Sequence, residues 1–325
     1  MLTAEQNRGP VLTRALAVIV VAVMLLGADL SGQRDAIFPE GAALAFGIVV
    51  LGKPDWGASR WRIVALPSLC AVLGHFLAQM TWAPWAGEIC AVSGALLVLR
   101  ALRSRVAPAL SAAVLPVVFG VRSWMYPAAV VITCVVIVAV VTWSSRHDDQ
   151  QTFVSSAWPW DVIVGAWVMI CSWILIAGPV LSLPIAAVAP PLFVSALEWS
   201  SNDGRTLARG VRRWSLVVGA ALAGSVALKL APAAWIAGLA AVGATLVLMQ
   251  VLATPHAPAL AISLVPLIAG PIGTWNFTIG IAVGAGALYL SGHVIARART
   301  ELRTWSTRTT HEIQASTDVW IAEKT

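Results

Sequence analysis

Ionisable side chains are scarce inside the apolar runs of this sequence, and the few present there are the residues able to do chemistry. They are Glu40, His75, Glu88, Arg122, Lys229 and His256. A carboxylate brought beside an imidazole can bind a cation or pass a proton, because the imidazole titrates near neutrality. Glu40, His75 and Glu88 fall in one half of the chain and, on the expected topology, at a similar depth. Arg122 or Lys229 could instead hold an anion. The plainer reading puts Asp29, Glu40, Arg122 and Lys229 at an interface, paired or extending their charges into water. For His256 it is a histidine holding a loop carbonyl ahead of a helix that starts on Pro258. Glu198 and His256 both lie toward the ends of their runs.

Several other chemistries lack their signatures. There is no Gly-rich phosphate loop, nucleophile elbow or paired metal-ligand motif, so neither an enzyme nor a cofactor or metal site is expected. Cys70, Cys90, Cys134 and Cys171 lie in apolar runs without CxxC spacing and read as small hydrophobes. The net charge of +6 is not a nucleic-acid signal, since most Lys and Arg sit in short loops between apolar runs.

The elements that must carry these residues follow from composition. Of 325 residues, 59% are hydrophobic and 11% charged, against about 25% charged in a soluble domain. The apolar runs have the length of bilayer helices. The expected fold is therefore all-α, a polytopic transmembrane bundle of about twelve spans. These run approximately 12–30, 36–52, 63–80, 85–102, 106–121, 127–143, 162–181, 182–199, 215–232, 233–253, 257–273 and 275–296. Runs ending in Pro or Gly, such as 106–121 and 257–273, could be bent or re-entrant. With the N-terminus inside and all twelve crossing, 18 Lys and Arg fall inside and 3 outside. That bias predicts a multi-pass protein of the cell (inner) membrane with both termini cytoplasmic.

The phrase "HAPALAISLVP" at His256–Pro266 is a near copy of "VAPALSAAVLP" at Val106–Pro116. Over 85–120 against 235–270, at an offset of 150, 11 of 36 positions are identical. Arg60-Trp61 matches Arg213-Trp214 more loosely. The implied organisation is a six-span repeat over 1–150, a second over 151–296 and a cytoplasmic tail over 297–325. An even number of crossings gives both halves the same orientation, as in parallel-repeat transporters. The charged candidates are asymmetric: Gly238 stands opposite Glu88, and Val106 opposite His256.

"HAPALAISLVP" resembles the His-Pro-Pro-Ala-Gly-Ala motif of the HPP family of integral membrane proteins. His256, Pro258, Ala259 and Ala261 match it, while Ala257 replaces a proline and Leu260 the glycine. "GKPDWGASRWRIVALPSLCAVLG", from Gly52 to Gly74, is similar to that family's pattern of a proline, an arginine and then an apolar helix. The family unit has about four spans, so a duplicated chain departs from it. Some members are linked to nitrite movement, so the resemblance implies a permease or secondary transporter for a small solute, with a small anion such as nitrite favoured. The coarse six-span pattern is also similar to fusaric-acid-resistance-type exporters of aromatic acids. The alternative from another class is a non-transporting membrane scaffold. The partners expected are the lipid bilayer and a small solute or ion.

Overall fold

The computed structural model describes residues 8–53, 56, 59–144, 157–183, 185–201, 206–269, 273, 275–295 and 297. Most of the loop joining the expected halves, and all of the expected 297–325 tail beyond Arg297, lie outside the described residues. Among the described residues every regular element is helical. The helices are α1 (Arg8–Ser31), α2 (Pro39–Ala45, continued by a π-helical turn Phe46–Val50), α3 (Arg60–Ala78), α4 (Pro84–Ala101), α5 (Pro108–Phe119) and α6 (Met125–Ser144). They continue with α7 (Trp160–Leu175, continued by a π-helical turn Ile176–Val180), α8 (Pro190–Ser201, after a 3-10 turn Ile185–Val188), α9 (Leu207–Leu230), α10 (Ala234–Val251), α11 (Pro258–Ala269) and α12 (Trp275–Ile295).

Among the described residues a helix stands at each of the twelve expected places, but their lengths divide them, and twelve full spans are not what they form. Seven are long and apolar enough to cross a bilayer: α3, α4, α6, α7 with its π turn, α9, α10 and α12. In α1, which has 24 residues, the apolar stretch is Ala15–Ser31. By contrast α5, α8 and α11 have 12 residues each, and α2 with its π turn covers Pro39–Val50. A helix of that length rises about 18 Å, short of a hydrocarbon core of about 30 Å. Proline and glycine set these limits. Each short helix begins on a proline (Pro39, Pro108, Pro190, Pro258), where the missing N–H is harmless and the fixed φ suits a first turn. Helix α5 stops at Gly120, whose φ of 65° closes it with a left-handed cap.

The short helices are also the most buried. Every residue of α5 from Pro108 to Pro116, and of α11 from Pro258 to Leu267, is buried, as expected of a helix that is apolar all round. They meet in the middle: α2 packs on α11, α5 on α8, α8 on α11, and α2 on α5. The long helices enclose them and turn apolar side chains such as Leu69, Phe76, Val135, Val168 and Leu290 outward. That surface suits hydrocarbon and not water.

Local geometry recurs at the offset of 150. Helices α4 and α10 have 18 residues each. Both are followed by a left-handed residue, Arg103 at φ 47° and Ala253 at φ 46°. The next N–H bonds back identically, Ser104 to Leu99 at 2.9 Å and Thr254 to Met249 at 3.0 Å. A methyl group on Gly74 of α3 would overlap the carbonyl of Ala113 in α5, and one on Gly224 of α9 would overlap that of Ser263 in α11. Contacts between the halves are reciprocal as well: α1 lies on α10, and α7 lies on α4. Gly280 and Gly284 of α12 mark a close approach to the 3-10 turn at Ala186 and Ala187 and, for Gly284, to Leu192 of α8.

One boundary differs in a way that matters for function. The run expected from 215 begins at Leu207, where the Thr206 hydroxyl caps the helix by accepting from the Arg209 N–H at 3.3 Å. Arg213, expected in a loop, is therefore held on α9. The close approach of α3 to α5 and of α9 to α11 gives a direct test. Gly74→Ala and Gly224→Ala should each lower stability by about 1–3 kcal/mol in thermal unfolding of the detergent-solubilised protein. Gly27→Ala, where a methyl meets nothing within 4 Å, should leave it unchanged or slightly raised.

Candidate functional site

The polar groups that gather do so at the end of the bundle where α2 finishes, α8 finishes and α11 begins. Ser195 and Glu198 are three residues apart on α8 and so share a face. His256 sits in the turn between α10 and α11, aimed by the left-handed Ala253 and by its own carbonyl, which accepts from the Ala259 N–H at 3.1 Å. Lys53 follows the π turn of α2, its backbone N–H bonded to the Gly47 carbonyl at 3.0 Å. Tyr289 comes from α12 and Arg213 from α9.

Their side chains form one connected group. The Ser195 hydroxyl is 2.6 Å from His256 Nε2 and is also hydrogen-bonded to the Tyr289 hydroxyl, which lies 3.5 Å from the same nitrogen. On the other side of the ring, His256 Nδ1 is 3.8 Å from Glu198 Oε2. Glu198 Oε1 accepts from the Lys53 ammonium, which also stands 3.9 Å over the Trp56 ring. The Trp199 indole N–H donates to the Tyr289 carbonyl at 3.0 Å, and the Arg213 guanidinium lies 5.2 Å over the Trp199 ring. One Arg213 nitrogen, Nη1, is buried without a hydrogen-bond partner.

Exposure is graded through this group. The Lys53 side chain is 26% exposed, Glu198 14% and His256 1%. Burial pushes the His256 imidazole well below its ordinary proton affinity, and the charges of Arg213 and Lys53 add to the effect. The closed arrangement therefore holds a neutral imidazole between a carboxylate and a hydroxyl.

The remaining sequence candidates lie elsewhere. Glu40, in the first turn of α2 and 1% exposed, accepts a hydrogen bond from the Ser111 hydroxyl of α5, and its Oε2 has no partner. His75 is bonded to Gln79 at 2.7 Å, its ring 4.2 Å from that of Trp124, and its Nδ1 has no partner. Glu88 is buried in α4. No hydrogen bond or ion pair joins Glu40, His75 and Glu88 to one another. Arg122 and Lys229 are exposed. Of the sequence candidates, His256 alone enters the connected group. Ser195, Tyr289, Arg213 and Lys53 escaped notice because a lone hydroxyl or a loop-end cation carries no motif. The available signal was Ser195 three residues before Glu198 on one helix face.

Residues 207–304 match the family model of the HPP transmembrane region. Over that segment the chain is similar to the HPP transmembrane region. No curated protein and no solved structure matches the chain. The matched segment spans α9 to α12 and contains Arg213, His256 and Tyr289, whereas Lys53, Ser195 and Glu198 come from outside it. It includes the His256–Pro266 motif and leaves out the stretch from Gly52 to Gly74. Its apolar helices and this match indicate an integral membrane protein.

A buried neutral histidine makes stability depend on pH. The folded state binds the His256 proton less readily than the unfolded chain, so the contribution is full above about pH 6.5 and is lost as pH falls below it. Facing groups are Lys53, Glu198, Ser195, Arg213 and Tyr289. Thermal unfolding should show stability declining toward acid with a slope of up to about 1.4 kcal/mol per pH unit. His256→Gln should flatten that decline.

Proposed function

We propose that this protein is a secondary transporter or permease for a small solute, a small anion such as nitrite above all. Its two six-helix halves are parallel repeats, both termini face the cytoplasm, and the end bearing Lys53, Glu198 and His256 is the cytoplasmic end. Support for the duplication comes from the recurrence, at one offset, of helix lengths, left-handed residues, turn hydrogen bonds and glycine contacts, and from the reciprocal packing of α1 on α10 and α7 on α4. Support for the orientation comes from the distribution of Lys and Arg, 18 against 3 if the chain changes side at each of the twelve helices, α2, α5, α8 and α11 doing so only together with the turns that flank them.

The observation that carries the transport reading is a polar group placed where the halves meet, inside a bundle whose central helices are too short to cross. Discontinuous helices meeting at depth are how transporters present backbone ends and side chains to a solute, and a buried ionisable group in a bundle interior is a functional group by default. Two halves related by an axis along the membrane normal can rock about that seam. Anion preference rests on charge. Lys53 and Arg213 outnumber the single carboxylate of Glu198, and Arg213 Nη1 is a donor with no partner. A guanidinium suits a small planar oxyanion better than a lysine does.

A crevice of about 400 Å³ along the same seam is lined mainly by Ala17, Val21, Phe46, Val50, Leu246 and Met249. Its apolar lining favours a second reading, a scaffold that binds lipid or another helix and moves nothing. Proteoliposomes distinguish the two. Nitrite flux above that of empty vesicles, lowered at least about tenfold by Arg213→Gln, is expected for the loss of a charged hydrogen bond worth about 1.5–3 kcal/mol. Absence of flux with nitrite, nitrate and an aromatic acid alike would leave the scaffold reading standing.

A further inference from the structure

Glu198 faces two bases at once. Lys53, from the first half, holds Oε1, while His256 Nδ1, from the second half, stands 3.8 Å from Oε2. The Lys53–Glu198 ion pair ties one half to the other at this end of the molecule. Behind His256 the chain of proton-bearing groups continues inward through Ser195 to Tyr289. Lys53 and Glu198 are the partly exposed members and His256 the closed one, so a proton arriving from water meets the ion pair before the imidazole.

We propose that His256 is a proton-binding switch for the Lys53–Glu198 latch: a proton taken up at Nδ1 transfers Glu198 from Lys53 to the imidazolium and frees the halves to part at this end. The exchange has a physical direction. Lys53 is partly in water and, once released, keeps its ammonium hydrated beside the Trp56 ring. The imidazolium is enclosed and cannot be hydrated unless the seam opens, so it claims the nearest carboxylate. Every group facing the ring contributes. Lys53 after α2 and Arg213 on α9 repel the proton, Glu198 on α8 attracts it, and Ser195 on α8 and Tyr289 on α12 accept from or donate to Nε2. No covalent bond changes; the proton comes from the aqueous phase and returns to it on closing. Because the closed form resists protonation, proton uptake and opening are linked, and acid shifts the population toward the open form.

This inference rests on the halves parting at the seam and not on which solute passes. The test uses the full chain in lipid nanodiscs and amide hydrogen exchange of the segments 46–53 and 252–260, corrected for the intrinsic effect of pH. Between about pH 8 and about pH 5.5, bracketing an ordinary histidine, the wild type should exchange about tenfold faster at the acid end. His256→Gln should be slow and insensitive to pH, and Glu198→Gln fast at both ends. Lys53→Met removes the other partner of the latch and should likewise exchange fast at both ends. A wild type without the acid response, or an H256Q variant that keeps it, overturns the proposal. If H256Q does not fold, a K53M variant that stays slow at about pH 8 does so instead. A chain that shows the response and carries no nitrite fails only as a nitrite transporter, and one that carries nitrite without the response fails only here.

Discussion

Hydrocarbon offers no partner to a backbone N–H or C=O, and each one left open there costs several kcal/mol. Helices α2, α5, α8 and α11 begin and end within reach of that constraint, because each is about 18 Å long. The fold answers by keeping these helices out of lipid. They pack on one another in the middle, with α3 and α9 pressed so close that Gly74 and Gly224 touch the carbonyls of Ala113 and Ser263. Burial of the short helices then obliges the long ones to form the outer wall, and places the turns between them where polar side chains can be enclosed.

Enclosure is what gives the group around Glu198 its properties. In water, a lysine, an arginine, a glutamate, a histidine and two hydroxyls would interact weakly. At the end of α8 they share a small volume, where charges are screened less and each proton position depends on its neighbours. His256 stays neutral because it is covered, while Glu198 stays paired because Lys53 reaches it from the other half. Val106, 150 positions before His256, is buried in the apolar core, so that turn carries a packing residue where the later one holds the titratable group.

Much of the architecture was legible along the chain. Among the described residues the apolar runs located the helices to within a few residues, apart from the starts of α8 and α9. The Pro and Gly in 106–121 and 257–273 marked two of the short helices, α5 and α11, whereas α2 and α8 read as full spans. The shared phrase at Val106 and His256 marked turns whose hydrogen bonds do recur. For the site, sequence reasoning worked by rarity. It singled out buried charges, which selected His256 and also Glu40, His75 and Glu88, whose partners are a serine, a glutamine with a tryptophan, and none.

Hydrophobicity and its period are properties of short windows, and so this sequence by itself determined that the chain is helical, membrane-bound and punctuated at four prolines. A hydrogen bond between Ser195 and His256 spans 61 positions, the bond from Ser195 to Tyr289 spans 94, and the ion pair of Lys53 with Glu198 spans 145. No window contains both members of such a pair. Only the packing of α8 against α11 and α12, and of the end of α2 against the end of α8, decided which polar groups would meet, because burial converts scattered side chains into one coupled set.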